Sequence, residues 1–336
     1  MNLWKLAEAK KLERIEAPLP APEEGLVRVR VTKVLLSNLD AALYAGDVRV
    51  NYPLILGRYA VGFVAEEGNP AFPKGTRVLL HAYRPVPLDG TEKRDFSADD
   101  YYNCGRTIDG FLCDFVNVSP DDMTVLPMSV NDERALLIHH VAAAKEIVER
   151  LDVQKGQHIV VVGADLMGIL LCQLLIYQQA APILVDADKR RLDFARTCGV
   201  YYTVPADTNA VDAVASVTGG RLASGAVHIA TASGNSNELP FLLCTRGSSV
   251  VFFETIGNKL NVDLGYALKK NLTLHCVSHG VKYLPAAINL IANRAVDPAA
   301  FRANAVKSAK TAELLEALAL KENRDETEIS FVDLLQ

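Results

Sequence analysis

No CxxC pair occurs among the six cysteines, Cys104, Cys113, Cys172, Cys198, Cys244 and Cys276, so neither a zinc ribbon nor a short secreted disulfide framework is written into the chain. The thiols read as reduced and mostly buried, which points to the cytoplasm. There is no surplus of positive charge: 35 Lys and Arg stand against 40 Asp and Glu, a net charge of −5. That excludes nucleic acid or an anionic membrane held by phosphate neutralisation. The most apolar stretch, Ile169 to Tyr177, is too short to span a bilayer. The opening MNLWKLAEAKKLER has no h-region and reads as untargeted. Repeats and low-complexity tracts are absent as well. What remains is a chain of 336 residues, half of them hydrophobic, long enough for two domains at about 100–200 residues each. Small neutral or anionic molecules are its expected partners.

The first 120 residues are short apolar or alternating runs between turn signals: GLVRVRVTKVLL, YPLILGRYAVGFVAEE, GTRVLLHAY and GFLCDFVNV. This is the pattern of a β-rich module. In Val27-Arg28-Val29-Arg30-Val31 the valines belong to a buried face and the arginines to a solvated one. The polar stretch from Arg84 to Tyr101 reads as an excursion loop. From Asp132 the spacing turns helical through NDERALLIHHVAAAKEIVERL, and then strands alternate with helices: HIVVVG, PILVD, YYTVP, AVHIAT, GSSVVFFE and LTLHCVS. Such alternation implies a parallel, doubly wound sheet. A helix pair and a final strand, free to return to the β module, close the chain.

Strand, glycine turn, helix, strand and acidic residue form the dinucleotide-binding order, in which glycines let the backbone approach the pyrophosphate and the helix start faces it. Gly163, Ala164, Asp165, Leu166, Met167 and Gly168 occupy the turn, with Gly163 and Gly168 at the first and third positions of GxGxxG. Asp186, at the end of the next strand, stands where a carboxylate accepts the ribose 2′-hydroxyl, and Arg191 supplies a cation on the adenine side. A carboxylate there favours NAD over NADP. Asp165, however, holds the second glycine position, putting a charge where the pyrophosphate must approach.

The order of these pieces resembles the medium-chain dehydrogenase/reductase family, the alcohol and sorbitol dehydrogenase relatives, over nearly the whole chain. Ser37-Asn38-Leu39-Asp40 is similar to its CGSD segment, Pro53 to Gly62 to PLILGHE, Gly75-Thr76-Arg77-Val78 to GDRV, Asp109-Gly110-Phe111 to DGGF, and Val162 to Gly168 to VGAGPIG. The resemblance implies an α/β chain: a GroES-like β-rich catalytic domain over 1–130 and 283–336, and a Rossmann domain over 131–282. It also implies a homodimer paired through the Rossmann domain.

The departures fall where the family does its chemistry. The zinc thiolate position is Ser37, the imidazole and carboxylate positions of GHE are Arg58 and Tyr59, and the alternative glutamate ligand falls at His139. A guanidinium cannot ligate a cation. The proton-relay hydroxyl position is Leu39, and of the structural-zinc cysteines only Cys104 lies nearby. Both zinc sites are therefore expected to be missing. Something else must then polarise a carbonyl and supply a proton. Arg58, Tyr59 and His139, all at former ligand positions, are the candidates, with His81, Tyr83 and Arg84 behind them. Three readings stay open: a zinc-independent, NAD-linked oxidoreductase acting on a small carbonyl or conjugated enone; an enzyme of the same fold that uses a bound nicotinamide only transiently or uses the cleft for a non-redox step; and a binding or scaffold protein that has lost catalysis.

Overall fold

The computed structural model describes residues 1–66, 69–86, 101–229, 234–253, 260–320 and 327–335. Most of the expected excursion loop between Arg84 and Tyr101 lies outside them. The chain forms two compact units: Met1–Leu136 with most of the chain after Ala303, and Leu137–Arg302.

In the first unit a seven-stranded sheet runs in the order Met123–Val125, Arg77–Leu80, Tyr59–Val64, Val27–Leu35, Ile329–Asp333 and Ala303–Lys307, with Phe115–Val118 also paired to Val27–Leu35. The C-terminal strand does return to the β module, Phe331 opposite Leu35 and antiparallel. Alternation sets the faces, since Val27, Val29 and Val31 are buried in the core. The arginines between them do not form a solvated face. Arg28 pairs with Glu66, and Arg30 pairs with Asp114 at 2.7 Å while lying 4.9 Å over the Phe115 ring. Both stems are covered, because neighbouring segments fold over that face and bring acceptors to it.

The second unit carries six parallel strands in the order Tyr202–Pro205, Ala181–Asp186, His158–Val162, Ala223–Ile229, Cys244–Phe253 and Thr273–Val277. Numbered along the chain this is third, second, first, fourth, fifth, sixth, the doubly wound Rossmann order. The order reverses between His158–Val162 and Ala223–Ile229, so the turn leaving Val162 is at the switch point where such sheets take their ligands. Val160, Val162, Ile183, Val185, Ala226 and Val250 are fully buried in its core. Runs this apolar are what a strand covered on both faces requires.

The sequence division at residue 283 differs from the observed one. The helix Leu284–Ala292 packs on the helix Ile138–Leu151 and so belongs to the second unit. Its buried Leu284, Ala287, Ile288 and Ile291 form one stripe at helical spacing, which has to be covered by another element. No helix among the described residues is long and apolar enough to cross a membrane.

Candidate functional site

Ser37, Arg58 and Tyr59, standing where the resemblance implies metal ligands, lie at the start of the helix Asn38–Ala45 and of the strand Tyr59–Val64. Ser37 caps the helix Asn38–Ala45 in a capping box with Asp40: its hydroxyl donates to Asp40 Oδ2 at 2.7 Å and its backbone N–H to the same oxygen at 2.8 Å. Asp40 Oδ1 accepts the Gly57 N–H at 3.0 Å. The buried Asp40 thus ties Ser37 to the turn that delivers Arg58. Arg58 is buried, donates from Nη1 to Tyr83 Oη at 2.8 Å, and lies 4.6 Å from the Tyr59 ring centre and 5.7 Å from that of Tyr83. A guanidinium held between two aromatic faces keeps its charge in a desolvated place.

Zinc does not fit this set. Ser37 Oγ is committed to Asp40, Arg58 brings a positive charge and no ligating atom, and no three His, Cys, Asp or Glu side chains cluster as metal ligands among the described residues. Cys104, the last cysteine near the structural-zinc lobe, is buried, and burial pushes its thiol up to about 11. Burial carries Cys113 up to about 12. Neither is a nucleophile near neutrality.

The sequence candidates separate between the two units. Arg58, Tyr59 and Tyr83 make one cluster in the first; His139 is buried in the first turn of Ile138–Leu151, in the second. Tyr83 was legible only as a residue at a strand end, since its phenol meets Arg58 across 25 positions of sequence.

His81 has a structural setting. Its Nε2 lies 2.8 Å from Thr124 Oγ1, and burial, reinforced by the Arg84 charge, lowers its pKa to about 4. The unfolded imidazole takes up a proton near 6.5 and the folded one only near 4, so between these values the unfolded chain binds more protons. Stability is therefore lost as pH falls from about 6.5 to about 4, by about 3 kcal/mol for this group, and no further below. His228, buried against Phe252 with Nε2 2.9 Å from Asn237 Oδ1, is shifted down by burial as well and acts in the same direction. Urea midpoints followed through this range should fall less steeply in His81→Asn than in the native chain; parallel curves would mean that His81 titrates normally in the fold.

The glycine turn of the second unit has the expected frame. Gly163 has φ +112, and its N–H donates to Val185 O at 2.8 Å. At Gly168 a Cβ would stand 1.9 Å from Gly163 O, so the helix Leu166–Tyr177 starts hard against the turn. The carboxylates expected to meet a dinucleotide are disposed otherwise. Asp165 is the N-cap of that helix, and its Oδ1 accepts the Gly168 N–H at 2.9 Å. Asp186 is 0% exposed. Its Oδ1 accepts from the Asp188 N–H at 2.7 Å and from Arg191 Nε and Nη2 at 3.0 and 2.7 Å. Its Oδ2 accepts from the Ala164 N–H at 2.6 Å and Asn235 Nδ2 at 3.1 Å. A carboxylate offers about four acceptor sites; this one is filled. Asp186, expected at a ribose hydroxyl, and Arg191, expected on the adenine side, hold each other in this structure. In this arrangement the residues do not fit a nicotinamide dinucleotide. Asn235 had no sequence signal, being 49 positions from Asp186 and outside any motif.

Residues 23–128 match the alcohol dehydrogenase GroES-like domain. The chain is 26% identical over 219 residues to an uncharacterised zinc-type alcohol dehydrogenase-like protein of Haemophilus influenzae, covering 62% of this chain and 63% of that one. It therefore spans less than two thirds of that relative's length. With the sorbitol dehydrogenase of Bos taurus it shares 23% over 302 residues, 85% of this chain and 83% of the other. The short chain alcohol dehydrogenase of Escherichia coli CFT073 complexed with NADH superposes with a TM-score of 0.83 at 17% identity, over 99% of each chain. At that identity the likeness is one of fold.

Proposed function

We propose that the chain, whose residues 23–128 match the alcohol dehydrogenase GroES-like domain, is a medium-chain dehydrogenase/reductase, a zinc-independent oxidoreductase of the alcohol and sorbitol dehydrogenase type acting on a small carbonyl or conjugated-enone substrate. The observation that carries the reading is Arg58, a buried cation held by Tyr83 Oη and the Tyr59 ring, at a position that the family resemblance aligns with a metal ligand. A fixed positive charge in a desolvated place can stabilise the oxyanion that develops on a reduced carbonyl, the service a zinc ion otherwise gives. Tyr59, whose ring lies against Arg58 in the same unit, is the proton donor of this proposal. The hydride carrier it requires is a nicotinamide dinucleotide, NAD in this proposal. The arrangement of Asp165 and Asp186 does not admit that carrier as it stands, so no step is drawn through it.

The same two carboxylates favour a second reading, a catalytically silent binding protein on this fold. Following NADH absorbance over a panel of small aldehydes, ketones and enones separates the two. Turnover that depends on Arg58 supports the oxidoreductase, and no turnover with any substrate supports the silent member.

A further inference from the structure

We infer that the first strand-to-helix turn of the Rossmann unit is occupied by the chain's own carboxylates, so that the native protein holds a nicotinamide dinucleotide weakly and loss of the Asp165 charge releases the site. The inference deepens the oxidoreductase reading and rests on its family assignment. A helix start attracts an anion because its first N–H groups have no partner inside the helix and its dipole is positive there. In Leu166–Tyr177, twelve residues long, that anion is already present: Asp165, buried, with Oδ1 on the Gly168 N–H. A pyrophosphate entering the turn meets this negative charge instead of a glycine. At the far side of the turn, Asp186 is closed by Arg191, Asn235 and the Ala164 N–H. Asn235 adds a further latch, its Oδ1 accepting the Ala187 N–H at 2.9 Å. Asp165, which stands in place of a glycine, and Asp186, the carboxylate expected at the ribose, are thus both turned towards protein donors. At an effective dielectric of about 20, a like charge a few ångströms from a phosphate outweighs the energy of a tenfold change in affinity.

The test is calorimetric titration of NADH into the full chain, into Asp165→Asn and into Asp165→Gly, with melting temperatures recorded without ligand. Asparagine caps a helix about as well as aspartate and keeps an acceptor for the Gly168 N–H, so it removes the charge and leaves the fold. Glycine removes the side chain as well. NADH should bind at least about tenfold more tightly to Asp165→Asn than to the native chain, and at least as tightly again to Asp165→Gly. Tighter binding in the glycine variant alone would support occupation by bulk rather than by charge. Equal affinity in all three proteins, or no binding to any, would overturn the inference. Its fate is separable from that of the function. Variants that bind NADH while no substrate is turned over sustain the self-occupied turn and sink the oxidoreductase; native turnover with unchanged variant affinity does the reverse.

Discussion

Gly168→Ala is expected to lower the melting temperature of the protein by roughly 6–12 °C, the shift that about 3 kcal/mol produces in a unit of 150–250 residues. Two effects oppose each other at this position. Alanine is the better helix former by about 1 kcal/mol. Its Cβ, however, would lie 1.9 Å from Gly163 O, a backbone atom that cannot swing aside as a side chain can. Overpacking a close-packed contact costs about 1–3 kcal/mol even where side chains can adjust, and here the helix start itself must retreat. That retreat would pull Asp165 from the Gly168 N–H and loosen the turn after Val162. The clash wins. Differential scanning fluorimetry giving an unchanged or raised melting temperature would mean that the helix does not abut Gly163 as described.

Arg58→Met should lower kcat by about 100-fold on whichever carbonyl or enone substrate the screen identifies, the loss typical of deleting one donor to a developing oxyanion. The variant should also lose some stability, because Tyr83 Oη is left without the guanidinium and the Tyr59 ring without its cation. Stability alone does not settle the role, so kinetics and melting must be read together. Tyr83→Phe removes the acceptor but leaves the charge, and is expected to keep kcat within about tenfold of native. Tyr59→Phe, measured for kcat and for its pH profile, tests the proton donor. If Arg58→Met melts lower yet turns over at the native rate, the arginine only fills the emptied metal position and the oxyanion role falls.

Local pattern carried the architecture into the sequence. The Val27-Arg28-Val29-Arg30-Val31 alternation and the GADLMG turn between an apolar strand and an apolar helix are local signals, and local geometry answers them. What stayed illegible depends on partners distant in the chain. The strand arginines are covered because Asp114 and Glu66 reach them from other segments. Asp186 is legible as a carboxylate at a strand end, yet its chemistry is decided by Asn235, whose approach no periodicity announces. Asp165 shows the same limit from the other side: as a departure from the glycine pattern it reads as a defect, and only the helix that follows makes it a cap. The helix Leu284–Ala292 has an apolar stripe that predicts burial without saying against which unit.

Zinc content tests the central claim, that a cation on a side chain has replaced a cation in a metal site. The measurement is elemental analysis of the purified full chain, before and after dialysis against a chelator, with melting temperature recorded on both samples. The account predicts far less than one zinc per chain and the same melting temperature throughout, because Ser37 Oγ is bound to Asp40 and Arg58 is bound to Tyr83. One zinc per chain that survives metal-free purification and whose removal lowers the melting temperature would contradict it.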